Sequence, residues 1–362
     1  MYKNTFEDRN GFHTRECVED KLRSPILDFY TYPPIGGDDW RYTFATAQVR
    51  VLESQMLTRA ALSDMANAED FDQAVDALGA GEYALPKGER TFTDVENILK
   101  LRRTEVRNLF ADLMIDEFVV KLIKARDDFA NMRLAIRRKL TEKPLGTDYS
   151  NDGNMPAELF EEIFEEENYS PLPDYMQEAI ERAVLAYYQQ KDIRQIDYAL
   201  DSSQAQYNLR QALRLNSIFL LGLFRIQIDL TNIRTMLRLK FTESEQRNVF
   251  LSGGYVEPQR FIHALDVGYE AVAPLFFATP YYEVVESGTA YFVPNKSFLR
   301  VEHNCEEYLM GFLNSTLQIT AGPQPVIAFL LMKENEIRKV RLILTAKQNN
   351  LDTKLILDRL AG

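Results

Sequence analysis

Beyond residue 40, apolar positions recur every three or four residues over long stretches rich in good helix formers. The clearest are Tyr42–Met65, Val95–Leu140, Pro173–Gln190, Gln204–Phe241 and Pro325–Ala346. This pattern predicts an all-α protein. Alternating, strand-like sequence is scarce. Only Tyr281–Val293, with aromatic and β-branched residues around a Ser-Gly pair, offers a hairpin as an alternative.

Boundaries between helices are partly legible. Thr93-Asp94-Val95-Glu96 reads as a capping box, and residues 143–156 hold the Pro, Gly and Asn of a loop. Further breaks fall at Gly79-Ala80-Gly81 and Ser252-Gly253-Gly254. Ala157–Asn168 is predicted to be an acidic helix with Leu159, Phe160 and Ile163 on one face, either solvated or docking a basic partner. The first forty residues lack a helical period and are expected to form an irregular leader packed on the surface.

The chain also repeats itself. Windows starting at Asp128, Asp229 and Glu336 align without gaps, sharing an acid, an Asn or Lys at 131, 232 and 339, and an Arg at 133, 234 and 341. Each window ends on a lysine, at 139, 240 and 347. A weaker copy surrounds Arg50, so that successive arginines lie 83, 101 and 107 residues apart. The expected organisation is a leader (1–40) and three helical repeat domains (41–125, 126–226 and 227–362), the last closed by a C-terminal helix.

Helical geometry assigns roles within the repeat. Phe129, Met132, Ile136 and Leu140 share one face, as do Leu230, Ile233, Leu237 and Phe241, and also Ile337, Val340 and Leu344. Those stripes are core. Arg133, Arg234 and Arg341 fall at the edge of the stripe, where a guanidinium needs a carboxylate or several carbonyls. The acid of the same window points elsewhere, so the partner belongs on another helix. Asp128, Asn131, Arg133, Asp229, Asn232, Arg234, Glu336, Arg341 and Arg50 thus form a structural motif, with a partner-binding surface as the other possibility for the arginines.

Composition narrows the function. Among 362 residues the net charge is −12, against general nucleic-acid binding, which needs a basic surface. The two cysteines, Cys17 and Cys305, suit a reducing compartment and no zinc site. The polar N-terminus is not expected to be a signal peptide, and no apolar run approaches the ~20 residues of a membrane span. Phosphate-binding glycine motifs, HExxH and GxSxG are missing, and His13, His263 and His303 are scattered. Neither a catalytic residue nor a cofactor or metal is expected. Cys305 beside His303 is a weak pair, since residues two apart diverge on a helix.

With the repeat in view, residues 41 to 362 resemble the C subunit of prokaryotic V-type, or A-type, rotary ATPases, relatives of the vacuolar d subunit. The resemblance rests on Tyr42–Glu53, on the following stretch to Tyr83, on the repeated Asn-aliphatic-Arg helices and on the closing Glu334–Arg341 and Ala346-Lys347. It implies three similar helical domains around a pseudo-threefold axis, shaped like a funnel. It further implies a non-catalytic central-stalk subunit, peripheral on the cytoplasmic face, passing torque between the D and F shaft subunits and the proteolipid ring. Contact with the membrane would come only through that ring. Basic residues near the repeated helices, Arg102, Arg103, Arg137, Arg138 and Arg238, are the interface candidates. Lys339 in place of Asn, and Thr345 where the other copies have Arg137 and Arg238, depart from the pattern. The rival function is a free-standing helical scaffold holding a protein in its concave face.

Overall fold

The computed structural model describes residues 32–79, 81–83, 91–141 and 149–360. Helix accounts for 75 % of the described residues, and no strand forms among them. His13, Cys17 and most of the expected leader lie outside them.

The helices are, in order, α1 (Thr43–Glu53), α2 (Arg59–Asn67), α3 (Phe71–Ala77), α4 (Phe92–Leu113) and α5 (Glu117–Thr141). Then come α6 (Ala157–Glu166), α7 (Asp174–Gln190), α8 (Arg194–Arg214) and α9 (Ile218–Phe241). After these follow α10 (Pro258–Asp266), the single turn α11 (Tyr269–Val272), α12 (Tyr282–Asn295), α13 (Leu299–Asn314), α14 (Pro323–Gln348) and α15 (Thr353–Leu360).

Three of the predicted long helices are each broken once, Tyr42–Met65 among them, which divides at residues 54–58 into α1 and α2. Val95–Leu140 divides at Met114–Asp116 into α4 and α5, where Met114 turns extended. Gln204–Phe241 divides around Asn216, which takes a left-handed conformation, and Ser217, whose hydroxyl caps α9 by accepting from Leu220 N. The capping box of α4 is real but sits two residues earlier than expected, between Thr91 and Asp94. Tyr281–Val293 forms helix, not hairpin. Its buried residues Val284, Val285, Gly288, Thr289 and Phe292 follow a period near 3.6, and Gly288 lets α12 press against Val301 of α13.

Three apolar clusters hold the fold. The N-terminal half of α5 (Val119, Leu122), the whole of α9 and the start of α14 (Val326–Leu330) share the largest. The C-terminal half of α5 runs out of it into a second cluster with α6, α7 and α8. The C-terminal half of α14 does the same with α2, α3, α4 and α15. The last long helix therefore returns to the first part of the chain. Residues 32–39 run from α9 and α13 to the segment just before α14, where Asp39 N donates to the Ala321 carbonyl. Tyr32 meets the rings of Tyr308 and Phe312, and Pro33 sits over Gly222. Gln324 fastens this strap by donating to the carbonyls of Ile35 and Gly37, both at 3.1 Å.

Candidate functional site

The acid, the arginine and the closing lysine of the repeated motif make comparable contacts on α5, α9 and α14. Lys339, which stands where the other windows have Asn, instead meets Glu307 (3.3 Å) and Glu306 (3.5 Å) of α13. Asp128 accepts backbone N–H groups from Asn154 (2.8 Å) and Met155 (3.1 Å), and Asp229 accepts from Tyr255 (2.8 Å) and Val256 (3.2 Å). The separations along the chain are the same, 26 and 27 residues. A tyrosine completes both clamps: Tyr175 donates to Asp128 at 3.3 Å, and Tyr281 to Asp229 at 2.9 Å. On α14 the donors come from the other end of the chain. Glu336 accepts from Leu57 N and from the Tyr83 hydroxyl, both at 2.6 Å.

The glycines explain why two of the acids are aspartates. A Cβ on Gly153 or Gly254 would collide with the carboxylate of Asp128 or Asp229, so only glycine lets the backbone approach so short a side chain. At the α14 clamp the residue before Leu57 is Met56, and the longer glutamate spans the extra distance.

The amides and arginines repeat as closely. Asn131 exchanges two hydrogen bonds with the backbone of Ser150, and Asn232 two with Leu251, each 19 residues on. Arg133 pairs with Asp201 and Arg234 with Glu302 (2.7 Å), both 68 residues on, while Arg341 reaches Glu96 of α4 (2.9 Å). Arg133, Arg234 and Arg341 thus each meet an acid on another helix, whereas Arg50 pairs with Glu53 of its own helix. The closing lysines face the C-terminal ends of short helices, where carbonyls carry partial negative charge. Lys240 donates to the carbonyls of Ala264 and Leu265 in the last turn of α10 and of Val267 just after it, and Lys347 to Ala68 after α2. Lys139 pairs with Glu167 after α6 (2.8 Å). Arg50 donates to the Thr316 carbonyl (2.6 Å), tying α1 to the segment before α14.

Between α5, α8, α9, α13 and α14 lies a cavity of about 470 Å³ lined by polar and apolar side chains alike. Arg126, Gln227 and Glu334, which occupy matching positions in the three windows, all face it. Arg126 donates to Glu334 at 2.8 Å, and Arg107 of α4 joins Glu334 (2.7 Å) to Asp127 (3.0 Å) and Asp152 (2.9 Å).

Burial dominates the titration of the two clamp aspartates. Asp229 is pushed up to about 7 because loss of solvent outweighs its two backbone donors, Tyr281 and the nearby Arg225. Asp128 is raised for the same reason. Burial pushes the Cys305 thiol up to about 11, which keeps it protonated at neutral pH and argues against a nucleophile. His303 is buried with its pKa lowered by desolvation, and His263 is exposed on α10.

The candidate interface arginines are dispersed. Arg102 donates to the Glu82 carbonyl and to Glu105, Arg103 to Asp127, and Arg137 to Asp197. Arg138 lies over the Tyr149 ring at 4.7 Å. Arg238 bridges to Glu302 (2.7 Å) while its side chain stays 60 % exposed. Apart from Glu105, three residues after Arg102 on α4, their partners come from other helices and loops, which sequence spacing could not show.

A family model, that of the ATP synthase (C/AC39) subunit, matches residues 45–359. The chain belongs to the ATP synthase (C/AC39) subunit family. Among curated proteins it is similar to the C subunit of the V-type sodium ATPase of Enterococcus hirae, 22 % identical over 316 residues, covering 86 % of this chain and 95 % of that protein. It is also similar to the C subunit of the A-type ATP synthase of Pyrococcus abyssi, 24 % identical over 340 residues, covering 84 % of this chain and 86 % of that protein. Among the described residues of this family member, no helix is long and apolar enough to cross a membrane.

Proposed function

We propose that this C/AC39 family chain is a non-catalytic rotor subunit, set between the D and F shaft subunits and the proteolipid ring on the cytoplasmic face. The observation that carries the proposal is the threefold clamp. A torque-bearing part must not hinge between its ends, and each of the three repeated helices is tied by an acid, an arginine and a lysine. The third set joins both ends of the chain, closing the body on itself.

The proposed units follow the clamps. One contains α5 to α8 and a second α9 to α13. The third combines α14 and α15 with α1 to α4 from the start of the chain. Around the cavity the three long helices would stand about a common axis, giving the shaft a socket and the ring an opposite face. Arg238, the most exposed of the candidate cations with a described ion pair, is the best placed of them to meet an acidic partner.

Co-purification from native membranes tests this. A tagged chain should bring down the shaft subunits and the ring proteolipid. Recovery of unrelated soluble partners without rotor components would support the free-standing scaffold instead.

A further inference from the structure

Residues 32–39 are seated on α9 and α13 by a pair of glycines. The Tyr32 phenol lies over Gly311 of α13, where a Cβ would collide with its oxygen. A Cβ on Gly222 of α9 would come within 3.3 Å of Pro33. The same positions on α5 and α8, 101 residues earlier, are Lys121 and Arg210, both exposed. The glycine pair thus belongs to the helices that carry the strap and not to the repeat.

The strap itself has the sequence of a ready-made ligand. Pro33 and Pro34 fix their own φ, which lowers the entropy that docking costs. Pro33 is buried and Ile35 packs on the largest apolar cluster, while Pro34 between them is exposed. Gly36 adopts a left-handed φ of 86°, and Gln324 donates to the carbonyls on either side of it, those of Ile35 and Gly37. Beyond this turn Asp38 accepts from Thr320 N (2.9 Å), and Asp39 N donates to the Ala321 carbonyl (2.7 Å). One end of the strap therefore grips α9 and α13, and the other grips the turn that leads into α14. The Tyr32 ring also meets Tyr308 at 5.2 Å, and Tyr308 meets Tyr281, which completes the Asp229 clamp, at 4.9 Å.

We propose that residues 32–39 act as a peptide ligand carried in cis. Gly222, Gly311, Tyr308 and Gln324 form a recognition site for an extended Tyr-Pro-Pro-aliphatic-Gly segment, and its occupation locks the α9 clamp to the start of α14. Selection works by fit and by backbone reading: the glycines admit a phenol and a pyrrolidine ring, and one carboxamide reads two carbonyls. The site does not depend on the rotor proposal. That the lock joins the second unit to the third rests on the division into units made there.

Amide hydrogen exchange on the full chain tests it, read by mass spectrometry with residue-level fragmentation. The double variant Tyr32→Asp with Pro33→Asp puts two carboxylates on the seat, one of them near Glu307, and should dislodge the strap. Exchange at Thr320 and Ala321, which neither substitution touches, should then rise at least about tenfold while α9 stays as slow as in the parent. A synthetic Tyr32–Asp39 peptide at millimolar concentration should restore slow exchange saturably in this variant and leave the parent unchanged. Gly311→Leu, which fills the phenol's seat, should exchange quickly at the same amides and resist rescue. Adding Gln324→Ala to the double variant, a change confined to the carbonyl contacts, should raise the peptide concentration for half rescue about fivefold or more. Unchanged protection at Thr320 and Ala321, loosening of α9 together with the strap, or a peptide that rescues neither the double variant nor its Gln324→Ala derivative would overturn the proposal. So would half rescue indifferent to Gln324, or a parent chain whose strap is supplied by a second copy, seen as a concentration-dependent dimer in light scattering.

Discussion

Tyr281 donates its phenol to Asp229 across 2.9 Å, and neither side chain touches solvent. The pair joins α9 to the start of α12 and completes a carboxylate that also holds the backbone of Tyr255 and Val256. Removing the hydroxyl in Tyr281→Phe leaves a buried acceptor with one donor fewer. The expected loss is about 1–3 kcal/mol of stability, measured by urea unfolding.

The same carboxylate sets a pH dependence. With Asp229 at about 7 in the folded chain and near the ordinary 3.8 when unfolded, the native state holds a proton that the unfolded state releases. Its contribution to stability therefore falls as pH rises from about 4 to about 7, and is flat above. Asp229→Asn should remove this slope. Unfolding midpoints at pH 5 and pH 8, compared between parent and variant, will show it; an unchanged difference would mean that Asp229 is ionised throughout.

Glycine tolerance should follow the clamps. Gly254→Ala and Gly153→Ala place a methyl on the carboxylates of Asp229 and Asp128, and each is expected to cost about 1–3 kcal/mol. Gly37→Ala meets nothing within 4 Å and should be nearly neutral by thermal denaturation.

Arg234 and Glu302 are both about three-quarters buried and pair at 2.7 Å. Arg234→Ala should lower stability by about 1–3 kcal/mol. A double-mutant cycle with Glu302→Ala should recover a coupling energy of similar sign. If Arg234→Ala unfolds at the parent's temperature yet loses association with rotor partners, the repeated arginine belongs to an interface instead.

Periodicity revealed the long helices and the repeated acid, arginine and lysine because those properties are local to one helix. It could not reveal the donors. Asn154, Tyr175, Tyr255 and Tyr281 sit in loops or on other helices, and nothing in the spacing around them marks a hydrogen bond to an acid 26 to 52 residues away. The break at Asn216-Ser217 did carry a signal, a left-handed former followed by an N-cap, but the apolar pattern on both sides masked it. The likeness of Tyr281–Val293 to a hairpin came from its β-branched and aromatic residues. Burial of one helical face against α13 outweighs that propensity.

Torque transfer is the central claim, and reconstitution measures it directly. A complex assembled without this chain should hydrolyse ATP at its head without moving ions across the membrane, and adding the purified chain should restore ion transport coupled to hydrolysis. Ion transport that proceeds equally well in the chain's absence would contradict the account.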